Sequence, residues 1–89
     1  GAVSKEVALE MANGIRNNSQ ADIGVSTTGI SGPDGSTKTK SVGLVYIGFV
    51  SLEKSFVKQY NYNYSREIHR LMTATAALNI TRLELDNIN

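Results

Sequence analysis

Val42-Gly43-Leu44-Val45-Tyr46-Ile47-Gly48-Phe49-Val50 is nearly continuous in β-branched, aliphatic and aromatic residues and carries no charge. A run of this composition reads as a central strand covered on both faces. The reading decides the fold class, because a strand buried twice needs one layer above the sheet and another below it. Gly43 and Gly48 each weaken a strand, so close approach of a helix or a second backbone is expected there.

On the C-terminal side, Ser51-Leu52-Glu53-Lys54 makes a short turn into Ser55-Phe56-Val57-Lys58-Gln59-Tyr60-Asn61-Tyr62, read as a less buried strand. The connection is too short for a parallel crossover, so the pair is antiparallel. A final helix starts at Ser65 as cap, with Ile68, Leu71, Met72, Thr75, Leu78 and Leu85 along one side and fraying over 86–89. On the N-terminal side, Ala21-Asp22-Ile23-Gly24-Val25 alternates like a half-buried strand. Before it, Val3, Val7, Ala8, Met11 and Ile15 recur at helical spacing, predicting a helix from about Ser4 to Asn17 with Ser4 as cap and Glu6 in the first turn. The order helix, strand, strand, strand, helix is α/β. It looks incomplete, since two helices and three strands leave the central strand little to sit between.

Between the first two strands runs Ser26-Thr27-Thr28-Gly29-Ile30-Ser31-Gly32-Pro33-Asp34-Gly35-Ser36-Thr37, continuing to about Lys40. Glycines at three-residue spacing among hydroxyl side chains expose backbone N–H groups to a polar or anionic ligand, and a strand end is where open α/β sheets place ligands. The pattern is neither the phosphate loop nor the dinucleotide fingerprint. Gly32, Gly35 and Ser36 read equally as a phosphate or ribose cradle and as a ligand-free Gly-Pro-Asp-Gly turn, in which Asp34 is a turn residue. Arg66 and Arg70 lie one helical turn apart, a spacing suited to holding a phosphate; solvation or pairing with Glu67 is the alternative. His69 reads as a surface or partly buried histidine. Tyr60, Tyr62 and Tyr64 alternate, and filling a strand face is a simpler role for them than stacking nucleobases. A Ser31–Lys40 dyad has nothing in the sequence to fix its geometry.

Composition closes several other routes. The 89 residues make one domain at most. Nine Lys plus Arg stand against eight Asp plus Glu, with no basic cluster, so nucleic acid is not the expected ligand. There is no cysteine and only one histidine, which excludes disulfides, thiolate sites and a histidine-built zinc site within the chain. No cofactor is expected. No apolar run reaches the roughly 18–20 residues that span a bilayer, and a signal-peptide order is not seen, so a cytoplasmic location without membrane contact is expected.

Three blocks resemble the CinA C-terminal domain, the competence/damage-inducible protein family. They are Gly1-Ala2-Val3-Ser4 with Glu6-Val7; Thr28-Gly29-Ile30 with Gly32-Pro33, Lys40, Val42, Gly43 and Val45; and Arg66 and Arg70 with Ala77-Leu78. Ser31, Ser36, Ser41 and Leu44 depart from the family's usual alanine, glycine, proline and threonine. The resemblance covers nearly all of residues 1–89 as the second half of that domain, and implies a three-layer α/β/α sandwich with a mixed sheet. It also implies a nicotinamide-nucleotide amidase that hydrolyses the carboxamide of nicotinamide mononucleotide. The family's hydroxyl nucleophile sits in a Thr-Ala-Glu-Ser-Cys-Thr-Gly-Gly type segment, followed by an activating tyrosine and lysine, and this sequence contains none of these. The chain alone is therefore expected to be inactive and to pair with the missing half or with copies of itself.

By the same resemblance Thr28 is the site residue in contact with nucleophile or amide, and the N–H of Gly29 or Ile30 lends a donor. Ser26 and Thr27 are weaker candidates, because strand alternation sends one of each neighbouring pair to the far side, and Gly32, Gly35, Ser36, Arg66 and Arg70 are the expected substrate-binding residues, with the alternatives given above. A non-catalytic nucleotide-binding or oligomerisation module is the alternative.

Overall fold

The computed structural model describes residues 3–29 and 43–88. Five elements follow one another: α1 (Lys5–Ser19), β1 (Ile23–Gly29), β2 (Leu44–Ser51), β3 (Ser55–Asn61) and α2 (Arg66–Ile88). The strands form one sheet in the order β1-β2-β3, with both neighbouring pairs antiparallel. Among the described residues the sheet is thus purely antiparallel, and no parallel partner of the expected mixed sheet lies within it.

β2 is the central strand, buried from Leu44 to Val50. It starts two residues later than the apolar run, because Gly43 is a turn residue at φ +94°. A side chain there would be strained by the backbone angle and would meet the Tyr62 carbonyl. Val45, Ile47 and Phe49 face one side with Ile80 of α2, joined by Ile23, Val25 and Phe56. Leu44 and Tyr46 face the other side with Ala8 of α1. Three layers therefore exist within the chain, α1 on one face of the sheet and α2 on the other.

The helix faces that meet the sheet depart from those expected from apolar spacing, although Ala8 of the expected α1 row is among them. Ala8 and Ala12 are fully buried, while Met11 and Ile15 are 42% and 47% exposed. The reason is backbone contact: a Cβ on Gly24 or Gly48 would run into the carbonyl of Ala12 or Ala8, so α1 lies directly on the strands. The Ser26 hydroxyl, buried beneath it, donates to the Ala8 carbonyl. In α2 the buried positions are His69, Thr73 and Ile80, whereas Leu71 and Leu78 are 67% and 73% exposed. Ile68 and Leu85 share that outward stripe.

The caps follow the sequence closely. The Ser4 side chain accepts from the Val7 N–H at 3.1 Å, and Gln20 ends α1 in the left-handed conformation. Ser65 accepts from the Ile68 N–H at 3.4 Å. At the β2–β3 turn the Ser51 N–H donates to the Lys54 carbonyl at 2.7 Å. Lys54 Nζ in turn lies 2.9 Å from Glu84 on α2. No described helix is long and apolar enough to cross a membrane.

Candidate functional site

β1 runs longer than the alternation over 21–25 implies, and takes in Ser26 to Gly29. Thr28 sits at the strand's end opposite Tyr46, and Gly29 opposite Val45. Period-two alternation divides these residues between the faces. Gly24 and Ser26 meet α1, so Thr28 projects to the α1 side, level by register with the start of that helix. Ile23 and Val25 pack on the α2 side, and Thr27 and Gly29 continue that row.

On the α2 side the row opens into a cavity of about 370 Å³ lined by Thr27, Gly29, Val45, His69, Arg70, Thr73 and Ala74. Arg70 is the one charged side chain among these, and it has no ion-pair partner among the described residues. A guanidinium beside two threonine hydroxyls, with no carboxylate among the described lining residues, suits a small anionic or polar group. Arg66 does not line this cavity, so the two arginines do not converge on it. Thr27, ranked below Thr28 on sequence, does line it. Ile30, Gly32, Gly35 and Ser36, with Ser31, Asp34 and Lys40, lie outside the described residues. Among those described, no cluster of metal-ligating side chains is found.

His69 is more deeply buried than the surface or partly buried place expected for it, at 4% exposure. Its Nε2 lies 3.2 Å from the Gly43 carbonyl, which also accepts from the Tyr62 N–H at 2.8 Å. A carbonyl only accepts, so Nε2 carries the proton in this contact. Tyr62 meets the imidazole edge-on at 6.3 Å and stacks on Tyr60 at 5.4 Å. Its phenol is held above the ordinary tyrosine pKa by burial and then by neighbouring Tyr60. His69 is thus an anchor that pins the start of β2 to α2 at the rim of the cavity.

Thr73 is the residue that sequence reasoning passed over. Thr75 and Thr81 satisfy their hydroxyls by donating back to the carbonyls of Leu71 and Ala77, at 2.8 and 2.9 Å. Thr73 Oγ1 is buried and has no hydrogen-bond partner, a condition that costs on the order of 1–3 kcal/mol. Nothing in its spacing separates it from the other helix threonines.

A family model described as the CinA C-terminal domain matches residues 1–85. A competence-damage inducible protein of Clostridium botulinum (strain Okra / Type B1) is 53% identical over 85 residues, covering 96% of this chain and 21% of the relative. Its counterpart in Clostridium tetani shows the same identity and coverage. The chain thus spans about a fifth of the length of these curated relatives. Among solved structures, the competence damage-inducible protein A (ComA) of Klebsiella pneumoniae superposes with a TM-score of 0.88 at 25% identity, over 96% of this chain and 53% of that one. A competence/damage inducible protein of Agrobacterium tumefaciens does so with 0.81 at 35%, over 93% and 52%. With its residues 1–85 matched, the chain belongs to the CinA C-terminal domain family.

Proposed function

We propose that this chain is the substrate-binding half of a nicotinamide-nucleotide amidase domain, acting where the reaction partner segment supplies the nucleophile. The overall change is addition of water to the carboxamide of nicotinamide mononucleotide, giving the acid and ammonia. A hydroxyl nucleophile, absent from this chain, attacks the amide carbon; ammonia leaves and water releases the acyl group. The supporting observation is that β1 ends at Gly29 beside a cavity that carries Arg70 and no described carboxylate. In this reading Thr28 orients the nucleophile or amide from the α1 side. The N–H groups of Gly29 and Ile30 serve as oxyanion donors, and the glycine-rich segment with Arg66 and Arg70 receives the ribotide.

The test is ammonia release from nicotinamide mononucleotide by the intact protein that contains this segment. Thr28→Val is expected to lower kcat about 10²-fold, the scale of losing one preorganised polar contact in a transition state. Intact protein without turnover overturns the reading. The exposed row Ile68, Leu71, Leu78 and Leu85 on α2 favours the second reading, an association module. That reading gains if the intact protein assembles through this helix but releases no ammonia.

A further inference from the structure

Counting from Tyr64, every seventh residue along α2 is a large apolar one turned outward: Tyr64, Leu71, Leu78 and Leu85 are 56, 67, 73 and 44% exposed. Between them, at alternating spacings of four and three, stand Ile68, Thr75 and Arg82, all of them exposed. This is the a/d pattern of a coiled-coil seam, and such a seam takes another helix, because each side chain enters a hole between side chains of the facing one. The buried row of His69, Thr73 and Ile80 lies on the opposite side of α2, against the sheet. The polar members of the outer stripe are already satisfied. Thr75 donates to the Leu71 carbonyl at 2.8 Å. The Arg82 guanidinium is held by Asn79 and Asp86 at 2.9 and 3.3 Å, which leaves its aliphatic stem for packing.

We propose that α2 pairs with α2 of a second copy of this chain, antiparallel about a two-fold axis that crosses the helix between Thr75 and Leu78. Charge selects this partner. The start of α2 carries Arg66 and Arg70 against Glu67, and its end carries Glu84 and Asp86 against Arg82. An antiparallel copy sets the basic end beside the acidic one and opposes the helix dipoles, whereas a parallel copy stacks Arg82 on Arg82 in one layer. The alternating spacing reads the same in both directions. Ile68 therefore meets the second copy's Leu85, Thr75 its Leu78, and Leu71 the stem of its Arg82. α2 has 23 residues, and a strip of that length and of helix width covers about 400 Å² per copy, against about 800 Å² in an interface of standard size. The dimer is thus weak and concentration-dependent. The inference goes beyond the amidase reading, stands whether or not ammonia is released, and names the partner of the association reading.

The test is sedimentation equilibrium of the intact protein and of the 89-residue chain from micromolar to near-millimolar concentration. Both are expected to form dimers, and Leu78→Lys is expected to raise the dissociation constant at least about tenfold without lowering the melting temperature of the dilute chain. Cross-linking reads the geometry. The chain has no cysteine, so a short thiol-to-thiol linker reports on one introduced residue. Leu78→Cys, beside the axis, is expected to link to its own copy. Leu71→Cys, about 16 Å from its own copy along the helix, is expected to stay unlinked alone and to link when mixed with Arg82→Cys. Equal linking of Leu71→Cys and Leu78→Cys means parallel pairing and overturns the proposal. So does a dimer that Leu78→Lys leaves unchanged, or an intact protein that stays monomeric because the rest of its chain covers the stripe. Ammonia release by the same wild-type protein decides the amidase reading separately, since α2 pairing supplies no group to that reaction.

Discussion

At Gly48 a single missing methyl group sets the distance between a helix and a sheet. A Cβ there would meet the Ala8 carbonyl and the Ser26 hydroxyl together, and because the Ala8 contact is main chain, which no rotamer change clears, Gly48→Ala must displace α1 itself. The expected outcome is a loss of about 1–3 kcal/mol, typical of overpacking, read from urea unfolding; an unchanged midpoint would show that α1 is not seated on the strand. Tyr62 gives a second residue-level expectation. Its folded-state pKa is raised by burial and by Tyr60, so the folded chain holds the phenolic proton more tightly than the unfolded chain. The associated stability is present below the unfolded tyrosine value near pH 10 and is lost as pH rises through the higher folded value. Thermal melts should show a decline in this alkaline range, shallower in Tyr62→Phe.

At the scale of elements, α1 puts its alanines inward, and both helices turn several large apolar residues outward. Ile80 fills the α2 side of the core, and Ile80→Ala is expected to lose about 2–5 kcal/mol by leaving a cavity. Leu78, nearly three-quarters exposed, should behave in the opposite way. Leu78→Lys is expected to stay within about 0.5 kcal/mol of wild type in this chain, while lowering any association through α2 seen by light scattering. A large stability loss in Leu78→Lys would mean that this side of the helix packs within the chain. Apolar spacing revealed that both helices exist, and serine caps revealed where they start. It did not reveal which stripe faces the sheet, because periodicity locates apolar residues without saying whose surface covers them. The decisive signal lay in the strands, where Gly24 and Gly48 call for a neighbour no bulkier than alanine.

For the whole molecule, Thr28 at a strand end was singled out by the family resemblance, and the one-turn spacing of Arg66 and Arg70 near the start of α2 was legible from the residues alone. Thr73 was not, since an orphaned hydroxyl is a property of three-dimensional packing. The Klebsiella pneumoniae structure matches this chain over 53% of its own length, so the related fold is about twice as large. The outward apolar stripe of α2 provides a surface on which further structure can rest. Pure 89-residue chain is accordingly expected to release no ammonia from nicotinamide mononucleotide, and measurable turnover would require a nucleophile within it.

Gly29 and Val45 face each other across the sheet, which fixes both departure and return of the intervening segment at one rung of the ladder. Closing such a connection becomes only about 0.6 kcal/mol harder for each doubling of its length. Insertions or deletions within 30–42 are therefore expected to weigh little on folding, read as an unchanged urea midpoint. Changes in the length of that connection can thus leave the alanine-lined seat beneath α1 undisturbed.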